Sequence, residues 1–538
     1  MTRAAPSPCP SPHSGRKVAA ALGFVLTAIL VVTSIPGYPG ALALTAFLRM
    51  PLEAPLTALL LMALPPRFAR PLAVPVTLVL AVILFLKLAD LGTQAAFQRV
   101  FNPWLDLKML RDGWDLLTRS TGKAGAWIAL AALFAALAAI LTGFYRAALR
   151  LAATDPGRFP LMVATLAVLC LAGFFPSPVT PQAAPYLSHR VRLIAQSIAD
   201  ISRFETELAA PLNWTGTQSA ALEAMRGRDL VVIFVESYGR SAIEDDRYAP
   251  LIRPRLGGID RQLDEAGLSA VSGWLTSPTA GGLSWLAHAT MLSGLTIGNQ
   301  ARYDRLMRSE RQSLNRLFSE AGWQSVAIMP AITRDWPESR WYGYDRLLSA
   351  GELGYRGLPF NWVTMPDQYT LSAFERLIRQ RAHTAGKAVM AEIALISSHA
   401  PWTPVPEAVA WEAVGDGAIF TAQALAGDTP AKLWADPDRV RDHYIKTIDY
   451  SLEILGDYLT RFAGDGVFVI LGDHQPAAIV TGANASRAVP VHVVTRDRRL
   501  IERLRQQDFG PSMLPAATQA ERPMAELGQR LLAAMASR

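Results

Sequence analysis

Four residues of this chain combine the types and settings of a metal-assisted site. Glu236 closes the apolar run 231–235, and Asp473-His474 follows the run 467–471 through Gly472. Short β-branched runs bounded by Gly and Pro read as central strands of a parallel sheet, and open α/β sheets gather their chemistry at the carboxyl ends of such strands. A carboxylate at one strand end and an Asp-His pair at another point to one shared metal ion. An acidic oxygen beside an imidazole suits Zn²⁺ or Mn²⁺ better than Ca²⁺, and Mg²⁺ stays open.

The fourth residue is Ser284. It follows Ser277-Pro278-Thr279-Ala280-Gly281-Gly282-Leu283, and from Ser284 onward the spacing turns helical. Two glycines permit the open backbone that lets a phosphate or sulfate approach, and a helix N-terminus is a natural anion site. A metal on the serine oxygen would lower the hydroxyl pKa and make it a nucleophile. The same position also suits a plain helix N-cap.

Around these positions the sequence predicts a globular domain starting near Asp229. Its strands are expected at 231–235, 325–329, 389–396, 467–471 and 489–494, with helices over 314–321, 370–382 and 443–462. Alternation of strand and helix over some 270 residues argues an α/β fold, a doubly wound and mostly parallel sheet. A terminal helix is expected over 520–535, within a C-terminal helical segment 501–538. His288, one turn after Ser284, either packs in the core or reaches the substrate. Arg302, Tyr303, Arg334, Asp335, Trp336 and Asp367 fall in or beside loops as candidates for a substrate pocket. His443, on the expected helix, and His492, in the last strand, read by default as packed residues.

The first third of the chain has another character. Of 538 residues 51% are hydrophobic and 18% charged, and the apolar excess is concentrated between Lys17 and Phe175. About five spans of bilayer length are expected, near 17–35, 41–64, 71–88, 125–144 and 160–176. Arg16 and Lys17, then Arg67 and Arg70, then Arg146, Arg150 and Arg158 fall in alternate connecting segments, which places those segments on the cytoplasmic side. With an odd number of spans the later domain lies outside the cytoplasm. Ala41 and Ala43 offer small residues for signal cleavage after the first span, but the further spans favour an anchor. Arg49, Pro51, Glu53 and Pro55 interrupt the second span; an Arg-Glu pair there either meets a lipid headgroup or marks a helix break, and the break is preferred.

Between 95 and 120, Trp104, Leu107, Leu110, Trp114 and Leu117 interleave with Arg99, Asp106, Lys108 and Arg119, the pattern of an amphipathic helix at a membrane surface or on a soluble domain. The domain plan is a disordered cytoplasmic tail 1–15, a transmembrane domain 16–176, a connector 177–227 with a helix over 189–208, a catalytic domain 228–500 and the C-terminal segment. Only Cys9 and Cys170 occur, so no disulfide framework is available to the later domain. A net charge of +7 without a basic-aromatic array gives no ground for a nucleic acid partner.

Glu236 at an early strand end, Ser284 opening a helix after a small-residue loop, and the late Gly472-Asp473-His474 together resemble the alkaline phosphatase superfamily. The membrane-anchored sulfatase-like branch is the most similar: lipoteichoic acid synthases, phosphoglycerol transferases and phosphoethanolamine transferases. The resemblance implies that Glu236, Ser284, Asp473 and His474 bind one divalent metal, with Ser284 as nucleophile. Ser398-His399-Ala400-Pro401 resembles the family's Ser-His-x-Pro segment, which implies that His399 contacts the substrate phosphate.

Arg334, Trp336 and His288 complete the expected substrate contacts. The implied activity is transfer of a phosphoglycerol or phosphoethanolamine headgroup from a phospholipid donor to a glycan or lipid acceptor through a phospho-serine, in the cytoplasmic (inner) membrane of a bacterium. The chain departs from the family in using Ser where Thr is common. It also lacks extracytoplasmic cysteines and the Cys/Ser-x-Pro-x-Arg segment of true sulfatases. A metal-dependent phosphodiesterase or sulfuric-ester hydrolase is the alternative enzyme, and an inactive membrane scaffold the alternative outside enzymes.

Overall fold

The computed structural model describes residues 12–36, 44–97, 99–107, 109–175, 178–212, 214, 216–482 and 485–536. Most of the expected tail 1–15, with Cys9, and the small residues Ala41 and Ala43 lie outside the described residues, as does Lys108. The chain forms two compact units, Met1–Ala95 with Arg99–Asp200, and Ala96–Gln98 with Ile201–Arg538. The division falls inside one helix, so the expected connector 177–227 contributes to both.

The first unit contains apolar helices in all five expected places: α1 (Pro12–Ser34), α2 (Glu53–Ala63), α3 (Pro66–Phe97), α4 (Met109–Ala152) and α5 (Pro160–Ala172). Among the described residues, three stretches are long and apolar enough to cross a membrane: Gly15–Ser34, Pro66–Phe97 and Thr121–Ala152, with mean hydropathies of 2.0, 2.6 and 2.3. With 11 and 13 residues, α2 and α5 reach only about 17 and 20 Å at 1.5 Å per residue, against about 30 Å of hydrocarbon. The expected second span, 41–64, is thus shorter than its hydropathy suggests. Ahead of α2 the described part is not α-helical: Leu44–Phe47 is a 3-10 turn, and Met50–Pro51 pairs in parallel with Val179–Thr180.

Glu53 serves the helix break. Its Oε1 accepts the amides of Gln182 at 3.0 Å and Ala183 at 2.9 Å, at the start of α6 (Ala183–Ala209). A carboxylate there satisfies amides that a helix N-terminus leaves unpaired. Lys87 reaches Ile35 O at the end of α1 (2.7 Å), and the buried Asp90 pairs with Arg190 and accepts the Phe101 amide at 3.0 Å. The expected amphipathic helix over 95–120 is divided: 95–97 end α3, Pro103–Asp106 is a separate helical turn carrying Trp104 and Asp106, and 109–120 are the first part of α4. Gly122, at φ 74° and ψ 161°, breaks that helix ahead of the apolar part, and Trp114 packs on Trp127 at 4.7 Å.

The second unit is built on an eight-stranded sheet: β1 (Leu230–Val235), β2 (Ser269–Thr276), β3 (Gln324–Met329), β4 (Arg346–Ser349), β5 (Val389–Leu395), β6 (Val467–Gly472), β7 (Ala488–Thr495) and β8 (Glu521–Pro523), in the order β8-β2-β7-β6-β1-β5-β3-β4. Only β7 runs against the rest, so the expected mostly parallel α/β class is what the chain forms. Every residue of β1 is buried. Val231, Ile233 and Val235 enter one core layer and Leu230, Val232 and Phe234 the other, as period-2 alternation with helices on both faces requires. Fully burying one such side chain is worth about 1.5–3 kcal/mol, which is why the strand is central.

Three strands, β2, β4 and β8, are additional to the expected set. The expected terminal helix over 520–535 is a strand followed by a helix, Leu527–Ala536, because residues 521–523 pair with 274–276 of β2. The unit therefore runs past the expected boundary at 500.

Candidate active site

β1 and β6 are neighbours in register, Val235 opposite Gly472, so Glu236 and Asp473 emerge side by side at their carboxyl ends. Gly472 is required there, since a β-carbon would run into Tyr238 O. Glu236, Asp473 and His474 are buried and offer ligand atoms that all lie within 4.8 Å of one another. His474 Nδ1 lies 2.8 Å from Gln475 O, a bond that requires a proton on Nδ1, so that in the neutral imidazole the lone pair is on Nε2. Nε2 lies 3.4 Å from Glu236 Oε1 and 3.5 Å from Asp473 Oδ2.

Ser284 joins this group. Its Oγ donates to Glu236 Oε2 at 3.1 Å and lies 3.2 Å from His474 Nε2. It is the first residue of α7 (Ser284–Ser293), preceded by Leu283 in the left-handed conformation, φ 66°, which makes no side-chain cap. The serine hydroxyl is spent on the carboxylate, not on capping. Gly281 (φ 74°) and Gly282 (φ 146°) carry the loop into that turn. Gly281 N donates to Gln475 O at 2.7 Å, and Ser277 Oγ to Asp473 O at 2.6 Å, so the loop is fastened to the Asp-His segment at two points.

Burial opposes ionisation of Glu236. The charge of His474, then that of His399, and the Ser237 hydroxyl overcome it and hold the carboxyl at about 2. Burial and the neighbouring Glu236 carboxylate push Asp473 up to about 6. Burial lowers His474, but Asp473 and Glu236 outweigh it and raise the imidazole. Two buried carboxylates competing for one positive partner are what a divalent cation would neutralise, and the donor set of oxygens and one imidazole fits such an ion.

The other expected site residues are placed as follows. His399 is exposed, with Nδ1 2.5 Å from Ala400 O. The preceding Ser398 donates to Glu236 O at 2.5 Å, which ties this segment to the end of β1. His288 is buried, stacked on Phe234 at 3.8 Å, with Nδ1 2.6 Å from Glu392 Oε1. That leaves only its Nε2 for any substrate contact. Glu392 Oε2 in turn accepts Asn315 Nδ2 at 3.2 Å and the Tyr344 hydroxyl. Trp336 packs against Tyr342 and Tyr344 at 5.3 and 6.3 Å, and Arg334 is exposed on the same loop, as is Asp335.

Three pocket candidates have other work. Arg302 pairs with Glu207 at 2.9 Å, Tyr303 is buried in the core, and Asp367 lies wholly buried under the Ser-Ser-His turn. Asp367 Oδ1 accepts the amides of Ile396 and Ser397 at 2.8 and 2.9 Å, and Oδ2 accepts Ser451 Oγ at 2.6 Å.

Sequence reasoning passed over Ser237 and Glu392. A serine directly after a candidate ligand carboxylate, and one carboxylate inside the apolar strand β5, were the available signals. Ser237 Oγ donates to Glu236 Oε1 at 2.7 Å and its amide to Asp473 Oδ1 at 2.8 Å.

No protein-family model matches the chain, and no curated protein matches it in sequence. Among solved structures, a search returns the lipoteichoic acid synthase LtaP from Listeria monocytogenes, 14% identical, covering 58% of this chain and 73% of that one at a TM-score of 0.39. It also returns the C-terminal periplasmic domain of EcEptC from Escherichia coli, 14% identical, covering 56% and 80% at 0.35. A third is the phosphoglycerol transferase GacH from Streptococcus pyogenes in complex with sn-glycerol-1-phosphate, 11% identical, covering 60% and 91% at 0.35. Likeness at this level leaves the chemistry of the chain to its own site residues.

Proposed function

We propose that the chain is a membrane-bound, metal-dependent phosphotransferase of the alkaline phosphatase superfamily. It would move a phosphoglycerol or phosphoethanolamine headgroup from a phospholipid to a glycan or lipid acceptor outside the cytoplasm. The observation that carries this reading is the position of Ser284 Oγ, 3.1 Å from Glu236 Oε2 and 3.2 Å from His474 Nε2 at the start of a ten-residue helix. A serine used only as a cap would not sit among the candidate ligands.

Glu236, Asp473, His474 and Ser284 would hold one divalent ion, Zn²⁺ or Mn²⁺ on the ligand set. When bound, the ion supplies charge that favours the ionised serine oxygen and the phosphate. The residues of the chain do the rest. Ser284 Oγ, freed of its proton, attacks phosphorus, and the diacylglycerol oxygen leaves and takes up a proton. An acceptor hydroxyl then attacks the same phosphorus and gives up its proton, and the serine oxygen leaves and is reprotonated. The first-turn amides of α7 would favour the phosphate charge, and the exposed His399 would meet it. Arg334 and Trp336 are the proposed headgroup contacts.

The membrane part supports the same reading. Arg16 and Lys17 lie near the start of α1, Arg67 and Arg70 at the start of α3, and Arg146, Arg150 and Arg158 about the turn from α4 to α5, whereas Glu53 opens α2 and Lys87 lies toward the far end of α3. Five traverses, with α2 and α5 as short ones, would put residues 201–538 outside the cytoplasm of a bacterial inner membrane.

The test is Ser284→Ala in the full-length protein, given a headgroup-labelled phospholipid and an acceptor extract. Loss of both transfer and labelled protein, with metal content retained, is expected. Normal turnover in that variant would sink the assignment, and release of free headgroup phosphate by the wild type would indicate hydrolysis instead.

A further inference from the structure

A groove of about 870 Å³ opens in the second unit, between the loop that follows His399 and the helix Pro437–Phe462. Its size lies within the range of ligand sites, about 300–1,000 Å³. One wall is 403–408, the other 422–427, and the floor is the helix face carrying His443, Lys446, Tyr450 and Glu453, spaced as one side of a helix must be. The walls are tied together: Gln423 Oε1 accepts the Glu407 amide at 2.9 Å, and Gln423 Nε2 donates back to Glu407 O at 3.2 Å. The groove is therefore a held shape.

The groove starts beside the proposed reaction centre. Thr403 is four residues past His399, and His443 Nδ1 lies 3.1 Å from Trp402 O. The next residue on the helix, Tyr444, donates to Ser237 O at 2.9 Å, one residue from Glu236. Consecutive helix residues thus serve the groove and the candidate metal centre. On the intervening segment Trp434 is stacked on Trp402 at 5.5 Å with rings 2° apart, and its indole donates to Pro401 O at 3.3 Å. It stays 40% exposed, a rigid aromatic surface of the kind that a sugar ring covers.

The lining decides what fits. Three carboxylates, Glu407, Asp449 and Glu453, face one lysine, Lys446, with Arg255 held on Asp449 at 2.7 Å and on Glu453 at 3.2 Å. A phosphate or uronate would meet a net negative lining, and a hydrocarbon tail would strip water from these charged groups without replacing its hydrogen bonds. A neutral ligand rich in hydroxyls can donate to the carboxylates and accept from Lys446 and His443.

We infer that this groove binds a neutral saccharide chain and is the acceptor subsite. The inference rests on the proposed transferase reading and narrows its acceptor to a glycan.

The test uses the full-length protein carrying Ser284→Ala, so that bound saccharide is not consumed, on an array of neutral, anionic and amino-bearing oligosaccharides. Selective retention of neutral chains is expected. Ala422→Trp and Ala408→Trp, which fill the groove from exposed positions, should each weaken the association about tenfold or more, a typical effect of a blocked contact centre. Lys446→Ala should weaken it as well without adding bulk, which guards against a misfolded tryptophan variant.

Retention of no neutral chain, preference for anionic chains, or binding indifferent to all three substitutions would overturn the inference. Cleavage of bis(p-nitrophenyl) phosphate by the protein with Ser284 intact reports on the reaction centre separately. Saccharide binding without any cleavage would leave the groove in place and remove the transferase reading.

Discussion

The amide of Ser237 lies 2.8 Å from Asp473 Oδ1, joining residues 236 positions apart at the ends of two neighbouring strands. Ser237 does this from a left-handed backbone, φ 56°, that non-glycine residues rarely adopt. The same residue gives its hydroxyl to Glu236. One strained serine therefore fixes both acidic ligand candidates. Ser237→Ala should lower Zn²⁺ affinity about 10–100-fold, the usual cost of losing a group that orients a ligand. Ser237→Gly, which relieves the strain but also loses the hydroxyl, should fall no lower. Competition with a chromogenic chelator measures both, and unchanged affinity in Ser237→Ala would deny the serine this role.

The pKa shifts of the ligand candidates set a pH dependence. Asp473 is raised to about 6 and His474 is raised, whereas Glu236 stays near 2. Protons thus compete for Asp473 and His474 at low pH, and Zn²⁺ affinity should climb as pH rises through about 6. For the metal-free protein the sign is opposite. A carboxyl whose folded pKa exceeds its unfolded value of 3.8 contributes stability below that value and loses it as pH rises through about 6. The gap in Tm between metal-loaded and chelator-treated protein should therefore widen from pH 5 to pH 8. A constant gap would show that Asp473 does not carry the titration.

Asp367 holds the Ser-Ser-His turn from below, accepting two amides and one hydroxyl while fully buried. Burial raises its carboxyl against the pull of those donors. Asp367→Ala would orphan three buried donors, at about 1–3 kcal/mol each. A Tm loss of several degrees is expected together with a fall in kcat, because Ser398 and His399 lose their support. A variant with normal kcat despite the lower Tm would mean that the turn is positioned by β5 alone.

Gly472 has no room for a side chain, since a β-carbon would meet Tyr238 O. Gly472→Ala should destabilise the second unit by about 3 kcal/mol or more and separate Glu236 from Asp473. Thermal unfolding and metal content would both register it. A variant of wild-type Tm and metal content would show that the two strand ends can part without cost.

How far the sequence carried differs from element to element. Strands β1 and β6 were legible because every residue in them is buried, so nothing interrupts the apolar run. Strand β2 was not, because Ser269, Ser272 and Gly273 dilute its pattern and only pairing with β7 and β8 makes it a strand. Strand β8, Glu521–Pro523, has no apolar residue at all and exists only as an exposed edge on β2. Hydropathy located α2, but its length was set by Glu53, whose carboxylate is committed to the start of a helix 129 residues away.

The candidate site divides in the same way. Glu236, Asp473 and His474 were readable one by one, because a strand end fixes where a side chain emerges. Which reading of Ser284 holds in this fold, cap or ligand neighbour, depended on where its Oγ lies, and that follows from Gly281 and Ser277 being fastened to the Asp-His segment.

By itself the sequence determined the class of fold, the apolar helices and the three ligand candidates, all of which depend on residue type and local period. Only the tertiary structure decided that Ser237 binds two carboxylates together, that His288 answers to Glu392, and that a polar groove begins beside His399. Those relations join residues far apart in the chain, and the close packing of strand ends and layers, not local pattern, brings them within bonding distance.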